Sequence, residues 1–470
     1  MKKTGVKLVL RNAAVVTMST GISQILLAIT GIVLVRYLGL NLYSEYSTAA
    51  LYMGLFSVLG RIGFNRVFLR ECSRDIEQTE SYFCATLLLN GGVTFLGLIV
   101  AFVIAYFRYD NRIFVLTLFL GTSQALIALR RMSTTVFQVH HKQHFTAIAT
   151  ISGALFYTVA FFLAIYLHAS VFIVALLHLC MNLIAILLSY SMSFRLAFPK
   201  FDFTIFKKLI AVGKRFCVID IMLVLYVQAN GFIIAFLNLK EQVGIYNAAF
   251  RLFSVFQLIG QIIDGAISPA IYGASTEQPR MIRGLRLAMR YFVTGGIFIG
   301  VIMLARADWL MTTLFKAEFS ESAGVLKLFG VAMASRFIVI LLSHVIYAAN
   351  KESFMVVLMT GVAIFSVIAC VILVPHYGAI GAGFVFLACE VVLCVICLHQ
   401  VEKILDKPEL YKLLILPLLS AVVTSIFLIL SNDWPIATLL LSPIVFFSVL
   451  FLTGYYKSGE IFGLVKAFIK

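Results

Sequence analysis

YSTAALYMGLFSVLGRI at residues 46–62 returns 200 positions later as YNAAFRLFSVFQLIGQI at residues 246–262. Tyr46, Ala49, Phe56, Gly60 and Ile62 match Tyr246, Ala249, Phe256, Gly260 and Ile262 without a gap. Each copy follows a short polar link and opens a long apolar run. A two-fold internal repeat in an integral membrane chain is the architecture of an alternating-access transporter, which handles its substrate between the halves.

The flanking sequence carries the same reading. At 62% hydrophobic and 12% charged, the 470-residue chain is too apolar for a soluble domain. Its apolar runs repeatedly exceed the roughly 20 residues that cross a bilayer as a helix. The pattern predicts an all-α integral membrane fold of about fourteen spans, near 12–35, 43–69, 82–106, 113–137, 145–167, 169–192, 212–237, 243–271, 284–305, 324–349, 353–374, 378–399, 412–430 and 435–454. Spans one to six form a first lobe (1–194) and spans seven to twelve a second (209–400). Between them lies RLAFPKFDFTIFKK (195–208), where Pro199 ends the preceding helix and Phe203, Ile205 and Phe206 alternate with polar residues. Such a stretch is expected to lie along the inner membrane surface. Residues 401–470 begin with a charged link, Val401–Lys412, and add the last two spans.

Loop charge orients the chain. With the amino terminus inside, 27 of the 37 Lys and Arg fall in cytoplasmic loops and 7 outside, leaving Arg61, Arg251 and Arg336 within spans. That bias places both termini in the cytoplasm. It also explains the net charge of +16 by a basic face against anionic lipid, with no nucleic-acid partner. The first apolar run is too long for a signal-peptide core, and no cleavage site follows it. No cysteine lies in an outer loop, so no disulfide is expected. Cys394 and Cys397, one turn apart in an apolar helix, read as small buried hydrophobes rather than a redox or zinc pair. The outer loops are too short for a catalytic domain, the largest being residues 306–324, and no HExxH, Walker A or GxSxG motif occurs. The sequence therefore points away from an enzyme and implies no cofactor or metal.

Three segments resemble one family. VRYLGLNLYSEYSTAALYMGLFSVLGRIGFNRVFLRECSRD (Val35–Asp75) resembles the opening of O-antigen flippases of the Wzx type, in the polysaccharide transporter branch of the MOP superfamily. VGIYNAAFRLFSVFQLIGQIIDGAISPAIY (Val243–Tyr272) is similar to that family's eighth span, with its GxYxAAxR core. LVPHYGAIGAGFVFLACE (Leu373–Glu390) is similar to its LVPxYGxxGA stretch. One departure stands out: Ser44 occupies a position where the family pattern has Gly, and Glu45 follows it. The resemblance implies a MOP/MATE-like fold in the bacterial inner membrane. Its implied substrate is a polyprenyl-diphosphate-linked oligosaccharide, an O-antigen or capsule repeat unit, moved from the cytoplasmic to the periplasmic leaflet. The polymerase and chain-length proteins of that pathway are the implied partners. Two other readings stay open: a cation-coupled multidrug exporter of the same superfamily, and a membrane-embedded polymerase or glycosyltransferase. Short outer loops count against the last.

A diphosphate cannot cross hydrocarbon bare, because desolvating it costs on the order of tens of kcal/mol. A flippase must therefore offer a wet, cation-lined path, and intramembrane charges are the residues to examine. Arginine suits the task, since its planar fork binds neighbouring phosphate oxygens and stays charged. Arg251 leads the candidates because no acid lies at its depth: Asp264 is thirteen residues along the same helix, about 20 Å. Arg61 follows, then Arg336, which shares its depth with Glu390 and reads equally well as half of an ion pair. Arg36 sits near an interface where it can snorkel. Gln257 and Gln261, one turn apart, are candidates for sugar hydroxyls. Gln24, Gln124, Gln228, Asn230 and Asn247 fit helix-to-helix bonding as well. Asp220, Asp264 and Glu390 are the candidates for ion coupling, and His178 and His344 for carrying a proton. An inside-negative potential itself favours outward movement of negative charge by about 2.3 kcal/mol per charge per 100 mV.

Overall fold

The computed structural model describes residues 3–57, 63–73, 75–273, 277–406, 409–431 and 433–456, with side chains from residue 19 onward except 212–220, 223, 227, 265, 266, 268–270 and 273. Among the described residues the regular structure is all helical: α1 (Lys3–Phe56), α2 (Phe64–Cys72), α3 (Thr79–Arg108), α4 (Asn111–Val139), α5 (His144–Tyr166), α6 (Val171–Ser193), α7 (Phe203–Phe236), α8 (Lys240–Gly273), α9 (Gln278–Ala288), α10 (Thr294–Ala305), α11 (Ala307–Phe315), α12 (Ser322–Ala348), α13 (Glu352–Ile404), α14 (Lys412–Leu430) and α15 (Pro435–Leu452). Eleven helices among the described residues are long and apolar enough to span a membrane. Helices satisfy their backbone groups internally, which hydrocarbon demands.

Two of the eleven contain a sharp break where the sequence predicts a link between spans. In α1 it falls at Gly39 (φ 69°, ψ 176°) and in α13 at Gly378 (φ 54°, ψ −133°). Positive φ costs glycine nothing, since it carries no Cβ. In α13 the preceding Pro375 also lacks an N–H for the helical ladder. The amide freed at the break is satisfied by a side chain, Ala379 N donating to Gln242 Oε1 at 2.8 Å. What composition marks as loops are thus tight breaks at a single glycine, each with a helix on either side.

By internal contacts the chain divides into two compact units. The first comprises residues up to Ala248 together with Met359–Ala382, and the second Ala249–Leu358 together with residues from Gly383 onward. In the first unit, the stretch expected as the inner half of span two is a separate helix. The long helix α1 ends at Phe56, and α2 turns one apolar face, Phe64, Val67, Phe68 and Cys72, into a core shared with Tyr82, Phe83, Met132, Val136 and Leu209. Its other face carries Arg66 and Arg70, which explains why it runs as an amphipathic helix. Burial in that core pushes the Cys72 thiol up to about 12.

The segment between α6 and α7 is only partly extended. Asp202 caps α7, accepting from Thr204 N at 2.8 Å and Ile205 N at 3.2 Å, so Phe203–Lys208 is already helical. Lys200 pairs with Glu80 at 2.6 Å and Lys208 with Glu71 at 2.8 Å. The Lys208 hydrogen bond, aided by Arg70, holds the Glu71 carboxyl below its ordinary value of 4.5. A depressed carboxylate stabilises the fold above its unfolded pKa and loses that contribution as pH falls through the lowered folded value. Acidification below about pH 4.5 is therefore expected to raise hydrogen exchange in α2 and the start of α7 in the wild type. Glu71→Gln should remove that acid-dependent step. An unchanged step in the variant would exclude this pair as its source.

In the second unit, Arg306, one of the expected outer-loop cations, is turned inward. It is 1% exposed at the junction of α10 and α11, its Nη2 donating to Ser431 O at 3.0 Å and to Thr438 Oγ1 at 2.5 Å. Phe298 packs on Phe446 with centroids 5.1 Å apart. At the other end, Tyr456 OH donates to Arg290 O at 2.6 Å, and Tyr291 stacks on Tyr456. The α14–α15 hairpin is thus fastened to the α10 region at both ends. In the first unit, α4 runs to Val139, close to the end expected for span four, because Met132, Ser133, Thr135 and Val136 bury one face.

Candidate functional site

The repeat closes on itself in the first unit. Asn247 Nδ2 donates to Ser47 Oγ at 2.8 Å, and Gly244 lies against Ser44 so closely that a methyl group there would overlap the Ser44 hydroxyl. Both contacts join a residue to its counterpart 200 positions on, as at a local two-fold axis between the copies. Ser44 and Ser47 are fully buried. The Ser44 that departs from the family pattern is accommodated because its partner is glycine. Deeper in this unit, Asn230 Oδ1 accepts from Ser366 at 2.8 Å and from Cys370 at 3.1 Å, and Gln228 packs beside Gly54. Ser123 Oγ meets His178 Nδ1 at 2.9 Å and accepts from Asn182 at 2.8 Å, making His178 part of a buried helix-to-helix network. Gln124 lines a small cavity with Ser57, Thr94 and apolar neighbours. Arg36 is exposed shortly before the Gly39 break, and Gln24 is half-buried.

The second unit holds most of the charged candidates. Arg336 Nη1 bonds Glu390 Oε1 at 3.0 Å, and Glu390 is 0% exposed. With the Gln257 amide carbonyl turned toward the guanidinium, it accepts from Arg336 Nε at 2.9 Å and Nη2 at 3.1 Å. Three sequence candidates on α8, α12 and α13 therefore form one cluster, in which the arginine is neutralised. Removing one partner of such a buried pair strands a charge and typically costs about 3–5 kcal/mol. Glu390→Ala is expected to lower stability by about that amount, and Glu390→Leu with Arg336→Met to recover most of it. Thermal unfolding in detergent measures both, and a Glu390→Ala protein as stable as wild type would refute the prediction.

Arg251 is different. Its Nε is buried without a hydrogen-bond partner, and the side chain forms no ion pair among the described residues. It lies on α8 six residues before Gln257, about 9 Å along the axis. Gln261 is exposed. Arg61 lies outside the described residues, as does the side chain of Asp220. Asp264 is paired, His344 Nε2 approaching its Oδ1 at 2.8 Å, and Tyr272 OH lies 3.0 Å from His344 Nδ1. Tyr272 went unmarked in the sequence; its signal is a position two turns beyond an intramembrane acid on the same helix. Among the described residues no group of His, Cys, Asp and Glu is arranged to hold a metal ion. Cys394 and Cys397 are buried thiols in α13.

Residues 9–273 match the family described as "Polysaccharide biosynthesis protein". No curated protein matches the chain by sequence. Among solved structures, the lipid II flippase MurJ in an inward closed conformation aligns with a TM-score of 0.76 at 14% identity, covering 92% of this chain and 97% of that one. An inward-facing multidrug resistance MATE family transporter of the MOP superfamily aligns with a TM-score of 0.63 at 13% identity, covering 84% and 99%. A eukaryotic MATE transporter aligns with a TM-score of 0.58 at 12% identity, covering 87% and 98%. These likenesses give the chain a MOP-type transporter fold.

Proposed function

Because this chain belongs to the polysaccharide biosynthesis protein family, we propose that it flips a polyprenyl-diphosphate-linked oligosaccharide from the cytoplasmic to the periplasmic leaflet of a bacterial inner membrane. The observation that carries the reading is Arg251: a guanidinium within a spanning helix whose Nε is buried and without a partner among the described residues. A cation within a membrane span that lacks a partner is costly and calls for an anionic one. A diphosphate supplies one, with oxygens spaced for the arginine fork. Arg36, Arg61, Gln257 and Gln261 are the further residues we assign to the substrate path, with Arg336 held ready in its cluster. The resemblance to a protein whose own substrate is named as lipid II supports the substrate class.

Alternating access between the two repeat halves is the mechanism we assign. Substrate loads from the basic, inner side, and the Ser44–Gly244 and Ser47–Asn247 crossing closes the outer side until the halves reorient. Both termini stay cytoplasmic, and residues 195–208 tether the halves. The polymerase and chain-length proteins of the same pathway would receive the product.

The MATE-like neighbours favour a second reading, export of cationic drugs. Cationic cargo needs available carboxylates, however, and in the second unit Glu390 is taken by Arg336 and Asp264 by His344. A reconstituted assay separates the two. Wild-type protein in liposomes should expose a polyprenyl-diphosphate oligosaccharide to an external glycosidase and leave dye-cation gradients unchanged. Cation transport with no glycan exposure would establish the exporter instead.

A further inference from the structure

The Asp264–His344–Tyr272 chain is not explained by substrate binding. It joins α8 to α12 in the second unit by two hydrogen bonds through one imidazole, 2.8 Å at Nε2 and 3.0 Å at Nδ1. The phenol meets the imidazole edge-on, centroids 5.5 Å apart at 82°. The His344 and Asp264 side chains are 17% and 22% exposed, and Tyr272 is 43% exposed. The Asp264–His344 pair is therefore sheltered and the phenol more open.

Hydrogen-bond valence fixes what the chain can do. An ionised carboxylate only accepts, so His344 Nε2 carries the hydrogen of the Asp264 bond. Nδ1 then has two states. Unprotonated, it accepts from the Tyr272 hydroxyl; protonated, it donates to the same oxygen after the hydroxyl hydrogen rotates away. Both states keep both bonds, so one proton can enter or leave without displacing a heavy atom. Uptake takes a proton from hydronium, leaves water, forms the Nδ1–H bond and changes the His–Asp pair from −1 to neutral. The charged groups around the chain suit this role. Glu352, at the start of α13, acts electrostatically on Tyr272 alongside Asp264. Arg336, two turns earlier on α12, is committed to Glu390 and Gln257.

We infer that Asp264, His344 and Tyr272 form a proton-binding site that couples inward proton movement to outward movement of the lipid-linked glycan. The coupling rests on the flippase reading above; the proton site stands on this geometry alone. Ionisable groups inside membrane helices are rare and mark such pathways, and imidazole is the side chain that exchanges its proton near neutral pH.

Two measurements on the full-length protein test it separately. Potentiometric titration of purified protein between about pH 5.5 and 8, the range in which imidazole titrates, should count one proton more for wild type than for His344→Gln. Equal counts from two well-folded proteins would overturn the site. In proteoliposomes, the steady-state distribution of polyprenyl-diphosphate oligosaccharide between leaflets should shift about tenfold per unit of pH gradient for one-to-one coupling. His344→Gln should still flip but lose that shift, and Tyr272→Phe, which keeps the Asp264 bond, should approach the same end point more slowly. A wild-type distribution that ignores the gradient overturns the coupling and leaves the flippase reading intact. A wild type that takes up the proton but flips nothing overturns the flippase reading and keeps the site.

Discussion

Replacing Arg251 by alanine is expected to slow flipping of a polyprenyl-diphosphate oligosaccharide by about 10- to 150-fold, while the protein remains folded. The range follows from the roughly 1.5–3 kcal/mol that hydrogen bonds to charged groups contribute, at 1.4 kcal/mol per tenfold. Folding should survive because the native guanidinium has no ion-pair partner among the described residues to be orphaned. Arg251→Lys retains the charge but not the two-pronged geometry, so an intermediate rate is expected. Initial rates of glycan exposure in proteoliposomes, set against circular dichroism and elution profile, measure this. If both variants flip as fast as wild type, Arg251 lies off the substrate path.

A disulfide across the repeat crossing should stop transport altogether. A Cβ built on Gly244 lies 3.3 Å from the Ser44 Cβ, close to the roughly 3.5–4.5 Å a disulfide needs. The double variant Ser44→Cys/Gly244→Cys is therefore expected to cross-link under mild oxidant and to lose flipping, with the activity of the uncross-linked double variant regained on reduction. The single Ser44→Cys variant, which still faces glycine, should keep working when treated alike. The crossing joins the two copies of the repeat, so locking it blocks any cycle in which they must part. Quantitative cross-linking with undiminished flipping would show that the crossing stays shut throughout the cycle, and the mechanism assigned here would fall.

The helices were legible because hydrocarbon leaves the chain one local solution, and long apolar runs announce it. Their breaks were legible in position, since the links read after spans one and eleven fall at Gly39 and Gly378; how tight each break is was not, and a positive φ at a single glycine shows it. The short helix α2 was hidden for a related reason: Phe64, Val67 and Phe68 look like the end of a span until Arg66 and Arg70 are seen on the opposite face. Charge counting could not show that Arg306 is buried, because a cation near a membrane edge gives no sign of whether it snorkels or turns inward. Among the candidate site residues, depth along the helix was sufficient to set Arg336 beside Glu390. It could not show that Gln257 would join them, since helix-to-helix facing depends on rotation as well as height. Tyr272 escaped because a tyrosine near an interface is ordinary until an imidazole is found bonded to it.

The crossing of the repeats also bears on how such a chain can change over generations. In a homodimer the axis sets each residue against an identical copy of itself, so any substitution there is made twice and must fit itself. Two serines facing each other where Ser44 meets Gly244 would collide, and two glycines would leave a gap. Once both copies lie in one chain, each side varies alone. One can grow a hydroxyl while the other gives up its side chain, and one can become the amide that reaches for its neighbour's serine. Carrying both copies in one chain turns a contact that would have to be its own mirror into one between unlike partners, and that freedom is available only where the copies touch at equivalent positions.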